Sequence, residues 1–147
     1  MGVTESVGTK LFICDLPPTT NDAGGFGSLT FESIGEVIDA GEHTREYSEV
    51  SYIDLKDGRT VKMKGSYNDG GRTVQLAYSK DDPGQIVLRE ALNKRKKYSF
   101  KIEYPGENAE KDYFTAYVMS ISKTVGGADG YLTMSVTLAL DEGVVTA

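Results

Sequence analysis

Residue types that build reactive centres are scarce in this chain of 147 residues. It contains one cysteine, Cys14, one histidine, His43, and no tryptophan. A single cysteine excludes an internal disulfide framework and any multi-cysteine metal site, and a single histidine argues against histidine-rich metal centres. We therefore expect no metal and no cofactor, and we interpret Cys14 as a free thiol in a reducing compartment.

Long apolar runs and a surplus of positive charge are also missing. No stretch of about 18 apolar residues exists, so no transmembrane helix and no membrane insertion are expected. The N-terminus lacks the basic-then-apolar pattern of a secretory signal. The 22 acidic and 16 basic residues give a net charge of -6, which argues against electrostatic wrapping of nucleic acid. The length and the 39% apolar fraction fit one globular domain.

Strand periodicity, in contrast, is abundant from residue 29 onward. Apolar and polar residues alternate over 131–140 and over 98–104, which predicts two half-buried strands. The stretch 113–121 is apolar at both parities, so we expect a strand covered by the core on one face and by a helix or a second subunit on the other. The two predicted faces carry Tyr113, Tyr117, Met119 and Ile121 on one side, and Phe114, Ala116 and Val118 on the other.

A hairpin is predicted at Gly70-Gly71, because glycine adopts positive φ freely in tight turns. This turn sets Tyr67 opposite Val74 and brings apolar residues together along one face. We therefore expect strands near 59–67 and 72–80 that pair with each other.

The segment before this hairpin, over about 40–58, is rich in acidic residues. A two-residue turn at Asp57-Gly58 would pair the apolar Ile53 with the charged Lys62, which is a conflict of faces. The loop is therefore longer than two residues, or the segment is not a regular strand. We interpret 40–58 as an acidic loop that becomes ordered when a partner binds.

One helix is predicted at about 83–95. Asp82 is a good N-cap, Pro83 fits the first helical position, and Gln85 stands three residues after the cap. The expected apolar stripe consists of Ile86, Leu88, Ala91 and Leu92. The basic run 94–97 follows at the C-terminal end, where cations complement the helix dipole. The fold class is thus mainly β, a two-sheet sandwich or small barrel with one flanking helix.

The glycines and prolines of the first 28 residues indicate a flexible arm, anchored only by a short strand at 11–13. The predicted organisation is an arm over 1–28, a β domain over 29–143 and a tail over 144–147.

No catalytic constellation stands out. Cys14 and His43 are the only conceivable nucleophile and base, and nothing in the sequence orients them. The glycines at 24–27 do not open a helix after a strong strand, as a phosphate-binding loop requires. We therefore expect a protein that is not an enzyme.

The charges are divided along the chain. Residues 29–60 hold eight acidic and three basic residues, whereas 94–97 is a basic cluster. Opposite charges on separate parts of one chain favour head-to-tail contacts between copies, which close into a ring when the rotation permits. The candidate contact residues are Asp39, Glu42, Arg45, Glu46, Glu49, Lys94, Arg95, Lys96, Tyr117 and Met119.

The order of elements carries a resemblance. A glycine- and proline-containing arm and several strands precede the sequence KDDPGQ at 80–85, which opens the single helix. The strands at 97–102, 113–121 and 131–140 follow. This order resembles the major tail tube proteins of long-tailed, siphophage-type bacteriophages over about residues 29–143.

The resemblance implies the tail-tube fold and six copies in a ring, with rings stacked into a hollow tube. Genomic DNA would pass through the lumen on ejection without specific binding. The segments at about 39–58, 1–28 and 143–147 would join successive rings. The implied partners are tape-measure, tail-tip and terminator proteins, and the implied location is the virion tail, assembled in the cytoplasm of the host bacterium.

Three alternatives stay open. The same fold is expected in the inner tube of a contractile tail or of a type VI secretion-like system. A monomeric β-sandwich module would use some of the nine tyrosines to stack on a ligand. An enzyme would need a reactive centre that the sequence does not display.

Overall fold

The computed structural model describes residues 7–42, 44–68, 70–106, 110–128, 130–140 and 143–146. The strands are β1 (Lys10–Cys14), β2 (Glu32–Ile34), β3 (Val37–Asp39), β4 (Glu46–Ile53), β5 (Thr60–Asn68), β6 (Gly71–Ala77), β7 (Tyr98–Glu103), β8 (Lys111–Thr124), β9 (Thr133–Leu140) and β10 (Val145–Thr146). The helices are α1 (Ala23–Gly27) and α2 (Pro83–Ala91).

Eight strands form one antiparallel sheet in the order β2-β1-β7-β8-β9-β6-β3, with β10 paired to β8 beside this path. The edge strands β2 and β3 are consecutive in the chain, and only Gly35 and Glu36 separate them. Two residues cannot span an open sheet of this width, so the sheet curls until its edges meet. The prediction of a mainly β fold with a flanking helix is confirmed, in its barrel form.

The inside of this barrel holds the core. Period-two alternation is confirmed for β7 and β9, whose apolar residues point inward. Leu88 and Ala91 of α2 join the same cluster. The strand residues of the cluster are Leu11, Ile13, Ile34, Val74, Leu76, Tyr98, Phe100, Ile102, Phe114, Ala116, Val118, Met134, Val136, Leu138 and Leu140.

Helix α2 begins as predicted and ends earlier. The Asp82 carboxylate caps it by accepting a hydrogen bond from the backbone N–H of Gln85 at 3.0 Å. A tight turn closes the helix, with the N–H of Lys94 donating to the carbonyl of Ala91, because the chain must turn into β7. The predicted stripe is wrong at Ile86 and Leu92, which are exposed.

Gln85 does more than stand three residues after the N-cap. Its side chain is fully buried, and its Oε1 accepts a hydrogen bond from the N–H of Ser79 at 2.9 Å. Its Nε2 donates to the carbonyls of Gly35 and Ala77, each at 3.0 Å. The amide therefore fastens the link between the two edge strands to the end of β6.

The predicted pairing of the middle strands is wrong, although strands lie close to both predicted positions. β5 pairs with β4, with Tyr67 opposite Tyr47, whereas β6 pairs with β9, with Val74 opposite Val136. The reason is burial: β9 offers β6 buried apolar partners, which the exposed residues of β5 do not.

The acidic segment at 40–58 contains a strand at its centre. β4 occupies Glu46–Ile53, and a loop closes between Asp54 and Arg59, whose carbonyl accepts from the N–H of Asp54 at 2.8 Å. The inference of a loop longer than two residues is confirmed. The description of the whole segment as a loop is wrong, because cross-strand pairing with β5 satisfies its backbone.

The described part of the first 28 residues, 7–28, is packed on the barrel and is not the flexible arm that we expected. β1 lies between β2 and β7, inside the sheet. The fully buried Phe26 of α1 stacks on Tyr113 with ring centroids 5.2 Å apart. The second face of β8 is thus covered at Tyr113 by the chain's own N-terminal residues. Near the C-terminus of the chain, β10 also pairs with β8.

A bulge changes the predicted faces of β8. Val118 lies opposite Leu138 and Ser120 opposite Thr137, so Met119 is an extra residue. The insertion moves Ile121 to the core side, where it packs against the core cluster. The predicted face shared by Tyr117, Met119 and Ile121 is therefore wrong beyond Val118.

Replacing Gln85 with leucine should lower the free energy of unfolding by about 3 kcal/mol, because three buried backbone groups lose their partner. Urea unfolding followed by circular dichroism measures this change. Gln75→Leu, at an exposed position of β6, is the matched control and should shift the value by less than about 0.5 kcal/mol. Equal unfolding midpoints for Gln85→Leu and the wild type would contradict the role assigned to this amide.

Candidate functional site

A two-stranded ribbon projects from the barrel. It consists of β4, β5 and the turn 54–59, and every residue of β4 is exposed. Two strands alone are marginally stable in water, so such a ribbon usually has a partner.

The ribbon is amphipathic. Cross-strand pairing places Tyr47 opposite Tyr67, Val50 opposite Met63, and Tyr52 opposite Val61. β4 alternates regularly, so Val50, Tyr52 and their partners share one face, whereas Tyr47 and Tyr67 lie on the other, because β5 carries an extra residue between Lys64 and Tyr67. The ammonium of Lys64, on that other face, lies 4.2 Å from the centre of the Tyr47 ring. Three of the four residues on the first face, Val50, Tyr52 and Met63, are exposed by 47% to 53% of their surface. A contiguous exposed apolar surface of this kind marks an interaction site.

The opposite face of the ribbon carries charges around Tyr47 and Tyr67. Glu49 and Lys62 form an ion pair at 3.5 Å. Ile53 is exposed on this same face, one residue away from Tyr52.

The predicted contact residues fall into three groups. Glu46 and Glu49 lie in β4, and Arg45 directly precedes it, with its guanidinium 4.5 Å from the centre of the Tyr67 ring. Asp39 ends β3, and Glu42 follows it at the base of the ribbon. The structure therefore brings the five acidic-segment residues together at and near the ribbon.

The second group is the basic link after α2. Lys94, Arg95 and Lys96 are exposed, and the ammonium of Lys96 lies 5.3 Å from the centre of the Tyr98 ring. Among the described residues, neither Lys94 nor Arg95 has an acidic side chain within ion-pair distance. These cations are therefore available to another molecule.

The third group lies on β8. Tyr117 is half-buried, whereas Met119 is 61% exposed because it stands at the bulge. The structure does not join the three groups into one cluster. The role of all ten residues in contacts between copies stays a prediction.

Sequence reasoning missed two features. The apolar face of the ribbon was hidden because acidic residues dominate the composition of 40–58, although the alternation of Val50 and Tyr52 is a signal for it. The second missed feature is a cavity of about 520 Å³ that Arg72 helps to line. A lone arginine in a strand gives no signal for such a cavity.

Arg72 reaches into the end of the barrel. Its side chain is only 5% exposed, its Nη1 donates to the carbonyl of Ala40 at 3.1 Å, and its guanidinium lies 5.2 Å from the centre of the Phe114 ring. Burial lowers the pKa of Arg72, and nearby Tyr104 and Asp112 oppose this change.

Tyr104 and Asp112 form a small network beside this cavity. The hydroxyl of Tyr104 donates to Asp112, and the hydroxyl of Thr146 donates to its other oxygen at 2.8 Å. Burial first, and then the hydrogen bond to Asp112, raise the pKa of Tyr104 to about 12. The network ties β10 to β8.

The described residues include no group of three or more side chains that could hold a metal ion. Cys14 is buried, and His43, its suggested partner, lies outside the described residues. No helix in the described part of the chain has the length and apolar character needed to cross a membrane.

A family model matches most of the sequence. The model of the lambda phage tail tube protein family aligns with residues 20–144. The chain belongs to this family. It is thus a phage tail tube protein, a structural component of a virion tail, as the order of its elements predicted. No curated protein sequence matches the chain.

Solved structures with the same fold come from several tube systems. The SPP1 tail tube is 19% identical with a TM-score of 0.59, over 94% of this chain and 75% of that one. The tube-terminating cap of the anti-feeding prophage is 15% identical with a TM-score of 0.68, over 100% and 93%. The sheath/tube terminator of the PVC contractile injection system is 13% identical with a TM-score of 0.67, over 100% and 98%. At these identities the likeness concerns the fold.

Raising the pH should destabilise the wild type more steeply than the variant Tyr104→Phe. The pKa of Tyr104 is about 12 in the folded protein and 10 as an ordinary tyrosine, so the unfolded chain loses this proton first. The stability contributed by the protonated hydroxyl is complete below about pH 10 and is lost as the pH rises toward about 12.

Urea unfolding at several pH values in this window measures the difference between the two proteins. Asp112→Asn removes the charged hydrogen-bond acceptor, which is the second cause of the raised pKa of Tyr104. Its loss of stability with rising pH should lie between those of the wild type and Tyr104→Phe, since the burial of Tyr104 remains. Parallel pH profiles for the wild type and Tyr104→Phe would contradict the assignment.

Proposed function

We propose that this tail tube protein assembles into hexameric rings that stack into the hollow tail tube of a long-tailed phage, and that DNA leaves the virion through the lumen. The observation that carries the proposal is the ribbon. Its apolar face is uncovered within the described part of the chain, whereas the apolar side chains of the barrel are largely buried. A second copy is the natural cover in a family of tube proteins.

Assembly needs contacts that repeat without closing into a dimer. In the proposed ring, the ribbon of one copy contacts a different surface of the next copy. Such heterologous contacts close into a ring or extend into a filament, depending on the rotation between copies. The exposed cations of 94–96 and the acids Asp39 and Glu42 offer opposite charges for these contacts.

The charge of the chain suits a conduit for DNA. A net charge of -6 per copy gives an acidic assembly. Acidic walls repel phosphates, so moving DNA is not held by counterion-release binding.

We expect other tail proteins to bind at the ends of the tube. Some solved structures with this fold are a tube terminator and a tube cap, which supports the closing of a tube by a chain of similar shape. We extend the proposal to terminator, tail-tip and tape-measure partners, with assembly in the cytoplasm of the host bacterium.

Electron microscopy of negatively stained protein at rising concentration tests the assembly, with analytical ultracentrifugation beside it. Hollow rods of uniform bore with sixfold end views are the expected result. A protein that stays monomeric at every concentration, also when expressed with the other tail proteins, would favour a monomeric binding module instead.

Excising the ribbon should abolish tube growth and leave the barrel folded. Residues 46–68 are replaced by a short glycine-serine linker, which the geometry allows because a Cβ built on Gly70 lies 3.3 Å from the carbonyl oxygen of Thr44. Circular dichroism and the urea midpoint should stay near those of the wild type, since the ribbon contributes nothing to the core cluster. Normal tubes from this variant would contradict the role of the ribbon.

Substitutions on the two faces of the ribbon should differ in their effect on assembly. Tyr52→Ser removes an exposed side chain of the apolar face and should raise the critical concentration for assembly about tenfold or more. Ile53→Ser is the matched control, since Ile53 is as exposed and lies on the opposite face. Sedimentation of assembled protein measures both. An equal effect of the two substitutions on the critical concentration would contradict a contact made by the apolar face.

A further inference from the structure

The charged face of the ribbon contains a row of four side chains in which two aromatic rings lie between two cations. The Arg45 guanidinium lies 4.5 Å from the centre of the Tyr67 ring, and the Lys64 ammonium lies 4.2 Å from the centre of the Tyr47 ring. The two rings contact each other, with their centroids 5.3 Å apart and an angle of 48° between their planes. We call this row, Arg45–Tyr67–Tyr47–Lys64, the ladder.

A bulge in β5 brings the ladder onto one face. Lys64 and Tyr67 are three positions apart, so in a regular strand they would point to opposite faces. The extra residue between them restores a shared face, on which both contact Tyr47. The bulge favours glycine, because a Cβ built on Gly65 would lie only 3.0 Å from the carbonyl oxygen of Ser48 on the opposite strand.

Further contacts continue from the ladder to the tip of the ribbon. Glu49 and Lys62 form their ion pair at 3.5 Å on the same face. In the turn, the N–H of Asp54 donates to the carbonyl of Arg59 at 2.8 Å, and the N–H of Gly58 donates to the carbonyl of Asp54 at 2.7 Å. Each of these contacts joins two residues of the same ribbon, so none of them requires a second molecule.

The strength of the ladder is of the size that an isolated pair of strands needs. Such a pair is marginally stable in water, so a small gain decides whether it is folded. A cation over an exposed ring, or two rings in contact, raises the ratio of folded to unfolded ribbon about two- to fivefold. The three contacts of the ladder together therefore raise this ratio about 10- to 100-fold.

We propose that the ladder folds the ribbon in the free subunit, before a second copy binds. The charged face is then occupied by contacts within the ribbon, which leaves the apolar face around Val50 and Tyr52 for another molecule. Since the ribbon is ordered beforehand, binding does not bear the entropic cost of ordering it. This consequence for assembly rests on the proposed function, whereas the folding of the ribbon by the ladder does not.

Hydrogen exchange of the free subunit, measured below its critical concentration, tests the ladder. In the wild type, the amides paired between β4 and β5 should exchange more slowly than those of an unstructured chain. Tyr47→Ser removes a ring that makes two of the three ladder contacts, and it should accelerate this exchange about tenfold or more while barrel amides stay unchanged.

Tyr52→Ser is the matched control for hydrogen exchange. It makes the same change on the same strand at a similarly exposed position, but on the opposite face. It should accelerate the exchange of the ribbon amides far less than Tyr47→Ser does. Wild-type ribbon amides that exchange as in an unstructured chain would overturn the inference, and so would equal effects of the two substitutions.

A disulfide across the ribbon distinguishes a loosened ribbon from a lost contact between copies. In a Cys14→Ala background, Ser51→Cys and Lys62→Cys place two thiols at directly opposed positions of the antiparallel strands, where the Cα separation suits a disulfide. Tyr47→Ser should raise the critical concentration for assembly about tenfold. Closing the disulfide should restore the value of the cross-linked protein that keeps Tyr47, and reduction should abolish the rescue. A defect that persists with the disulfide closed would mean that Tyr47 contacts another copy, which overturns the inference.

The outcomes for the ladder and for the tube are separate. If the wild type forms no tube under any condition, the proposed function fails, and hydrogen exchange of the free subunit still decides the role of the ladder. If tubes form although the ribbon amides of the free subunit are unprotected, the ladder inference fails and the proposed function stands.

Discussion

The barrel depends on the buried amide of Gln85. It links the carbonyl of Gly35, between the two edge strands, to the carbonyl of Ala77 at the end of β6. Asp82 adds a second tie, since its carboxylate accepts from the N–H of Gly35 and caps α2. Because β2 and β3 are consecutive in the chain and lie at opposite edges of the sheet, the sheet must close around its core, and these hydrogen bonds stabilise the closure. The position of α2 and the enclosed apolar cluster follow from that closure.

Closure leaves an uneven distribution of apolar surface. The barrel covers itself on the inside, and Phe26 covers the outer face of β8 at Tyr113. The ribbon is left uncovered, although its face of one tyrosine, two valines and one methionine is as apolar as many strand faces. A chain that satisfies its core and exposes one amphipathic projection is folded as a subunit and incomplete as an assembly. That division fits the assembly proposed for this tail tube protein.

The sequence by itself determined several of the strands and the start of α2. Period-two alternation located β7 and β9, and Asp82 with Pro83 located the beginning of α2. These signals are local: they follow from the side-chain period of a strand and from the unsatisfied N–H groups of a helix start. The order of the elements also led to the tail tube family, because that order survives where sequence identity does not.

Only the tertiary structure decided which strands pair and which surfaces stay open. Gly70-Gly71 has the chemistry of a hairpin turn, yet β6 pairs with β9, because burial of Val74 against Val136 outweighs a local turn preference. The role of Gln85 and the unpaired Nε of Arg72 depend on groups far apart in the chain. No period or spacing encodes such contacts, since each residue acquires its partner only when the sheet closes. The sequence therefore determined the elements, and closure decided the surfaces they present.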